Sequence, residues 1–217
     1  MIGSGPDGVL RLAAGGVEVA LWEDHTYSRG SADNVHAYDR ELAFADGPRH
    51  EWRAVGVRVS EGERTASSAV VLLPIGCGEP GGHTIVVRPG TLYLPCGSEV
   101  AALDLPSLEV RWRTESDLAC VNGLHEIPGE EALIVRGELT IGRVEPDGRV
   151  AWERSGRDVF SGELRIVGDV VEVTDWNEDR YRFRLSDGEI LDSPPQARPV
   201  LDPPRAGWME RLRGWMG

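Results

Sequence analysis

The residues best equipped for chemistry are three cysteines, five histidines and one dense acidic turn. Cys77 with His83, Cys96, and Cys120 with His125 combine thiolate and imidazole, the preferred ligands of zinc. Their spacings match no compact zinc motif, and three widely separated thiols predict a reducing compartment rather than a disulfide framework. Asp175-Trp176-Asn177-Glu178-Asp179 offers oxygen ligands at first, third and fifth positions, as a calcium loop does. Arg180 stands where that loop needs Gly and Ser186 where it needs a bidentate Glu, so a plain hairpin turn is expected. His25 beside Glu23 and Asp24, with His36 and His50 nearby, has the residue types of an acid-base cluster, but no spacing links them. Gly3-Ser4-Gly5-Pro6-Asp7-Gly8 spells a dinucleotide fingerprint without the preceding strand that would launch its turn. No nucleophile elbow, phosphate loop or helical pair of histidines is present. The sequence therefore assigns no catalytic residue, no cofactor and no metal ligand, and predicts a chain that purifies without stoichiometric zinc or calcium.

Charge narrows the partners further. The formal net charge is -13, with 36 acidic against 23 basic residues, and every basic residue is Arg. Such a surface lacks the electrostatic footprint of a phosphate-backbone binder, so neither nucleic acid nor anionic membrane is expected. The absence of Lys excludes Schiff-base chemistry and a phosphate-loop lysine.

The elements that must position these residues follow from an internal period of 40 residues, a length typical of propeller blades. Ala102 to Trp112 aligns without a gap on Gly142 to Trp152, and both align on Arg182 to Asp192. Each segment reads as a strand, a tight turn and a second strand. Upstream, Thr91-Leu92-Tyr93-Leu94 matches Glu131 to Ile134 and Val171 to Thr174, which puts Gly97, Gly137 and Asn177 at one equivalent turn position. These are residue types that tolerate positive φ, so all three hairpins are expected to share that geometry. Leu164-Arg165-Ile166, Val171-Glu172-Val173 and Tyr181 to Leu185 alternate apolar and charged residues, the period of two of a half-buried strand. In this register Cys120 takes the apolar place of Phe160, while Cys96 takes the place of Arg136 and Trp176 in an exposed turn.

From Ala102-Leu103-Asp104 through Trp112 the sequence resembles the repeat of quinoprotein-type (PQQ-like) β-propellers, in which a small-hydrophobic-Asp strand end, a turn and a strand ending in Trp recur. The resemblance covers about residues 83–193. It departs from the pattern at Pro106-Ser107, where the family usually has Thr-Gly, and at Asp192, where it has Trp. There is no vicinal cysteine pair and no Lys. The resemblance thus implies an all-β propeller-like array of antiparallel blade repeats, without implying a quinone.

Residues 1–80 lie outside the register yet read as strands, and fit either two degenerate blades or a separate packed sheet. Met1 to Gly16 has no basic leader and no spanning stretch, which predicts a cytoplasmic protein. Residues 194–206 form a proline-rich linker, and 207–217 an amphipathic tail in which Trp208, Leu212 and Trp215 recur at helical spacing. The expected function is non-enzymatic binding of a protein partner, and the alternative is a small-molecule site or enzyme in the central funnel. The tail is the possible interaction element, with docking onto the β domain as its other use. Burying such side chains is worth roughly 1.5–3 kcal/mol each, close to the cost of ordering the segment. Removing residues 207–217 is expected to lower the melting temperature or cause association, read by thermal melts and size-exclusion chromatography. A monomer with an unchanged midpoint would instead make the stripe a free recognition element.

Overall fold

A computed structural model describes residues 7–77 and 84–193. The proline-rich linker, Trp208, Leu212, Trp215 and the expected C-terminal helix lie outside these residues, as does His83. Among the described residues no helix is long and apolar enough to cross a membrane.

The described chain is all-β, in four sheets. Residues 10–74 form one five-stranded sheet of β1 (Leu10–Ala14), β2 (Val17–Glu23), β3 (Arg40–Ala43), β4 (Trp52–Glu61) and β5 (Arg64–Pro74), in the order β1-β2-β4-β5-β3. Only β3 breaks the antiparallel pattern, running parallel to β5. The three repeats then each form a four-stranded antiparallel meander. They comprise β6 (Val86–Arg88), β7 (Thr91–Cys96), β8 (Glu99–Asp104) and β9 (Val110–Glu115); β10 (Val121–Glu126), β11 (Leu133–Gly137), β12 (Thr140–Val144) and β13 (Val150–Ser155); and β14 (Arg165–Val167), β15 (Val170–Thr174), β16 (Arg180–Arg184) and β17 (Ile190–Asp192).

Why the sheets stack is legible in which residues are buried. Every residue of β7 and the run Val100–Leu103 of β8 is buried, because both faces of this sheet are covered. Val19, Leu21, Val57 and Val71 of the first sheet pack on Leu92, Leu94 and Leu103 of the second. The second sheet's opposite face, with Tyr93, Val100 and Ala102, meets Leu133, Val135 and Val144 of the third. Ile134, Ile141 and Trp152 on the third sheet's far side meet Val171, Val173, Tyr181 and Phe183 of the fourth. In β16 only Tyr181 and Phe183 are buried, between outward Arg180, Arg182 and Arg184. The alternation expected of residues 164–185 therefore marks the last sheet of the series, covered on one face. The first sheet's free face is closed by its own loop, which lays Tyr27 and Tyr38 against Trp52, Ala54, Val70 and Leu72.

The 40-residue register holds to the level of single contacts. Trp112 lies on Gly148 and Trp152 on Gly188, and a Cβ on either glycine would sit 2.7 Å from the indole Cδ2. Both indoles donate to the next sheet, Trp112 to Pro146 O at 2.9 Å and Trp152 to Leu185 O at 3.0 Å. Two residues further on, Thr114 donates to Gly148 O at 2.6 Å and Arg154 to Gly188 O at 2.9 Å. The first repeat has Leu108 where the others have these glycines, and it keeps the left-handed backbone at φ 58. Trp112 and Trp152 stand 36 residues before Gly148 and Gly188, whereas Leu72 stands 36 residues before Leu108, whose side chain is fully buried. The propeller-like array of antiparallel repeats expected of residues 83–193 is thus present in the fold.

The shared turn chemistry is corrected. Of Gly97, Gly137 and Asn177, only Gly97 has positive φ, at 76. Gly137 is required by crowding, because a Cβ there would meet the Asp117 carboxylate at 1.9 Å. In the third turn positive φ falls on Glu178, at 64, beside Asn177.

Gly188→Ala and Gly168→Ala separate the inter-sheet contact from backbone strain. Both glycines have positive φ, but a Cβ at Gly168 meets nothing within 4 Å. Urea unfolding should show a loss of about 1–2 kcal/mol for Gly168→Ala and a further loss of about 1–3 kcal/mol for Gly188→Ala from overpacking against Trp152. Equal losses would refute the stacking role.

Candidate functional site

The connections between sheets and the β7–β8, β11–β12 and β15–β16 turns meet at one end of the array. A series of backbone bonds ties them together: Val121 N donates to Gly97 O, Glu138 N to Cys120 O, Phe160 N to Glu138 O and Trp176 N to Val159 O, each at 2.8 Å. At the centre is Asp117, only 2% exposed. Its Oδ1 accepts from Ala119 N at 2.7 Å and Cys120 N at 3.0 Å. Its Oδ2 accepts from Leu139 N at 3.0 Å and from Thr140 N and Oγ1, both at 2.8 Å. One buried carboxylate thus holds the β9–β10 connection against the β11–β12 turn, and charge-assisted bonds of this kind are among the stronger ones. Burial and the nearby Asp117 charge push the Glu138 carboxyl above its ordinary value.

The cysteines depart from expectation. Cys77 and Cys120 form a disulfide with Cα atoms 5.3 Å apart, joining the end of the first sheet to the β9–β10 connection. The odd count concealed a pair 43 residues apart, so the three cysteines are not the three free thiols expected. Cys96 is buried at the end of β7 rather than in an exposed turn, and burial drives its thiol far up from the usual range. Among the described residues no group of three or more His, Cys, Asp and Glu could hold a metal ion. In the acidic turn, the Asp175 carboxylate is used internally, accepting from Asn177 N at 2.9 Å, Asp179 N at 3.0 Å and Tyr181 OH at 2.9 Å.

The amino-terminal histidines do not converge. His25 lies 3.3 Å from Glu23 in solvent, His50 is beside Glu51, and His36 sits edge-on to Trp22. Asp24 between them is buried, where desolvation raises its pKa but bonds from Thr26 and Tyr38 outweigh this and hold it below the ordinary value. Tyr27 is pushed up to about 12 by burial and by its bond to Glu41. This is a hydrogen-bonded knot closing the first sheet.

Two hollows remain. A cleft of about 820 Å³ runs between the leading strands of all four sheets, with Leu12 of β1, Val86 of β6, Leu124 of β10 and Ile166 of β14 on its walls. A second, of about 630 Å³, opens on the loop face between Arg53, Ile75, Glu138 and Trp176. Asn122 and Arg136 line both. Arg136 Nη1 donates to Gly162 O at 2.7 Å and Nη2 to Asn122 O at 3.3 Å, and burial lowers its pKa. Sequence reasoning passed over Arg136 because its only signal was alignment with Cys96 and Trp176. Of these three, only Trp176 is exposed, at 73%. Among the described residues Ile75 and Leu118, at 56% and 64%, are the other large apolar side chains exposed on these connections.

No family model matches the chain, and no curated protein matches it. Solved structures are similar to it at low identity. A europium-containing methanol dehydrogenase is 17% identical with a TM-score of 0.43, covering 51% of this chain and 24% of its own. BamB from Moraxella catarrhalis is 12% identical with a TM-score of 0.45, covering 87% and 73%. The computationally designed Ika8 protein is 10% identical with a TM-score of 0.50, covering 85% and 60%. The chain thus spans about a quarter of the methanol dehydrogenase, and these likenesses concern the fold alone.

Asp117→Asn replaces an acceptor by an amide that faces buried donors of Leu139, Thr140 or the β9–β10 connection. Each mismatched buried group costs about 1–3 kcal/mol, so urea unfolding should show at least about 2 kcal/mol lost, with Glu115→Gln unchanged as a surface control. A loss within error of zero would remove Asp117 from its central place.

Proposed function

We propose that the chain is a binding scaffold whose loop face engages a protein partner. The observation that carries this reading is the set of exposed Ile75, Leu118 and Trp176 on connections held by Asp117, Asp175 and the Cys77–Cys120 disulfide. An exposed indole on a rigid frame is well suited to anchor an interface, because little conformational entropy is lost when it is covered. Arg53 and Glu138 beside Trp176 add polar groups of both signs. The net charge of -13 favours a basic partner and faster association at low salt.

The test is affinity capture from the native host with wild-type chain and a Trp176→Ala/Leu118→Ser variant. A protein retained by wild type should be retained at least about tenfold less by the variant, the weakening expected when an anchor residue is lost, while the variant's melting temperature stays the same. Retention should also fall as salt is raised. Equal retention by both chains would sink the reading.

A further inference from the structure

The central cleft carries a feature that the loop-face reading does not use. Arg136 leaves β11 and crosses to the boundary of both hollows, where it is held by two backbone carbonyls. The local chain is shaped around it. A register shift between Val121 and Gly123 takes Asn122 out of the β10–β11 ladder, and the Asn122 carbonyl receives Nη2. Gly123 lies alongside, where a Cβ would come 3.0 Å from His125 Nε2 and make ordinary contact, at 3.6 Å, with Arg136 Nε. Gly162, whose carbonyl receives Nη1, is itself fitted against Thr174, where a Cβ would meet Oγ1 at 1.8 Å.

What Arg136 lacks is an acid. Eleven other arginines, among them Arg11, Arg88, Arg143 and Arg165, lie within 4 Å of a carboxylate. Arg136 has no such partner among the described residues, and its Nε is buried without a hydrogen-bond acceptor. A guanidinium has five N–H groups, and carbonyls take two of them here. A half-buried, desolvated cation in a chain of net charge -13 is therefore still short of one anion. The carboxylates on the cleft wall do not fill that place: Glu126 is bound to Arg88 at 3.1 Å and Glu163 to Arg165 at 2.7 Å.

The cleft's remaining wall states what the anion is attached to. Leu12, Ile85, Val87, Leu124, Leu164 and Ile166 give it aliphatic surface beside the polar groups of Thr84, Asn122 and His125. A volume near 820 Å³ lies within the ordinary range for small-molecule sites of roughly 300–1,000 Å³. We infer that Arg136 is the anchor of a small-molecule site in the central cleft, taking the carboxylate of an organic acid whose apolar body lies along β1, β6, β10 and β14. The planar guanidinium matches a carboxylate's two oxygens, and the alkyl portion gains by leaving water.

The probes are hexanoate and hexanol, matched in body and differing in head group, titrated into the full chain by calorimetry. Hexanoate should bind at least tenfold more tightly than hexanol, and acetate more weakly than hexanoate. Arg136→Met should lose the preference for hexanoate over hexanol, while Arg180→Met, on the outward side of β16, should keep it. If Arg136→Met does not fold, the Arg136 Nε resonance of the wild-type chain is followed by nitrogen NMR, and it should shift with hexanoate and not with hexanol. Equal binding of the two probes, an Arg136→Met variant that still prefers hexanoate, or an unmoved Nε resonance would each overturn the proposal. A partner protein captured on the loop face leaves these outcomes untouched, so the two readings fail separately.

Discussion

The array depends on one constraint, that its inner sheets are apolar on both faces and must be covered twice. β7 and β8 have no solvent side, so the second sheet is stable only between a first and a third. The same demand passes to the third sheet, whose Ile134, Ile141 and Trp152 need the fourth. Trp112 on Gly148 and Trp152 on Gly188 set the spacing between neighbours, since an indole occupies the room that a Cβ would take. The series ends where the demand ends. β16 and β17 carry charged or exposed residues outward, and the first sheet is closed by the loop that holds Tyr27 and Tyr38.

Stacking alone leaves the connections between sheets free to move, and buried polar groups fix them. Asp117 gathers donors from two connections, Asp175 holds the third turn, and the Cys77–Cys120 disulfide ties the first sheet to the same end. The result is a set of loops with the rigidity of a sheet, on which Ile75, Leu118 and Trp176 stand in solvent. An apolar group held out on a fixed frame is costly in water and inexpensive to bury against a partner, which links the packing of the array to its proposed use.

Arg136 applies the opposite logic. Its guanidinium is positioned by carbonyls rather than by an acid, so it is oriented without being neutralised. Some carboxylates elsewhere in the chain pair with neighbouring arginines in the same sheet, as Glu172 does with Arg182 at 3.0 Å. The difference separates a surface charge kept for solubility from one kept available to a ligand.

The sequence by itself determined the repeating unit. The 40-residue spacing of Trp112 and Trp152, the hairpins of residues 83–193 and the alternation of the last sheet were legible because each arises from contacts repeated along a short stretch of chain. The tertiary structure alone decided what depends on distant segments meeting. Residues 10–74 became one sheet because β3 returns to pair parallel with β5, a register that no local pattern writes. Cys77 found Cys120 across two sheets, Gly137 was dictated by the Asp117 carboxylate rather than by its own backbone, and Leu108 keeps the left-handed conformation of Gly148 and Gly188 with a buried side chain where those two carry none. Arg136 is the clearest case. Its sequence neighbours are ordinary strand residues, and its significance lies in what the fold leaves out, a carboxylate within reach of a charge that burial has already separated from water.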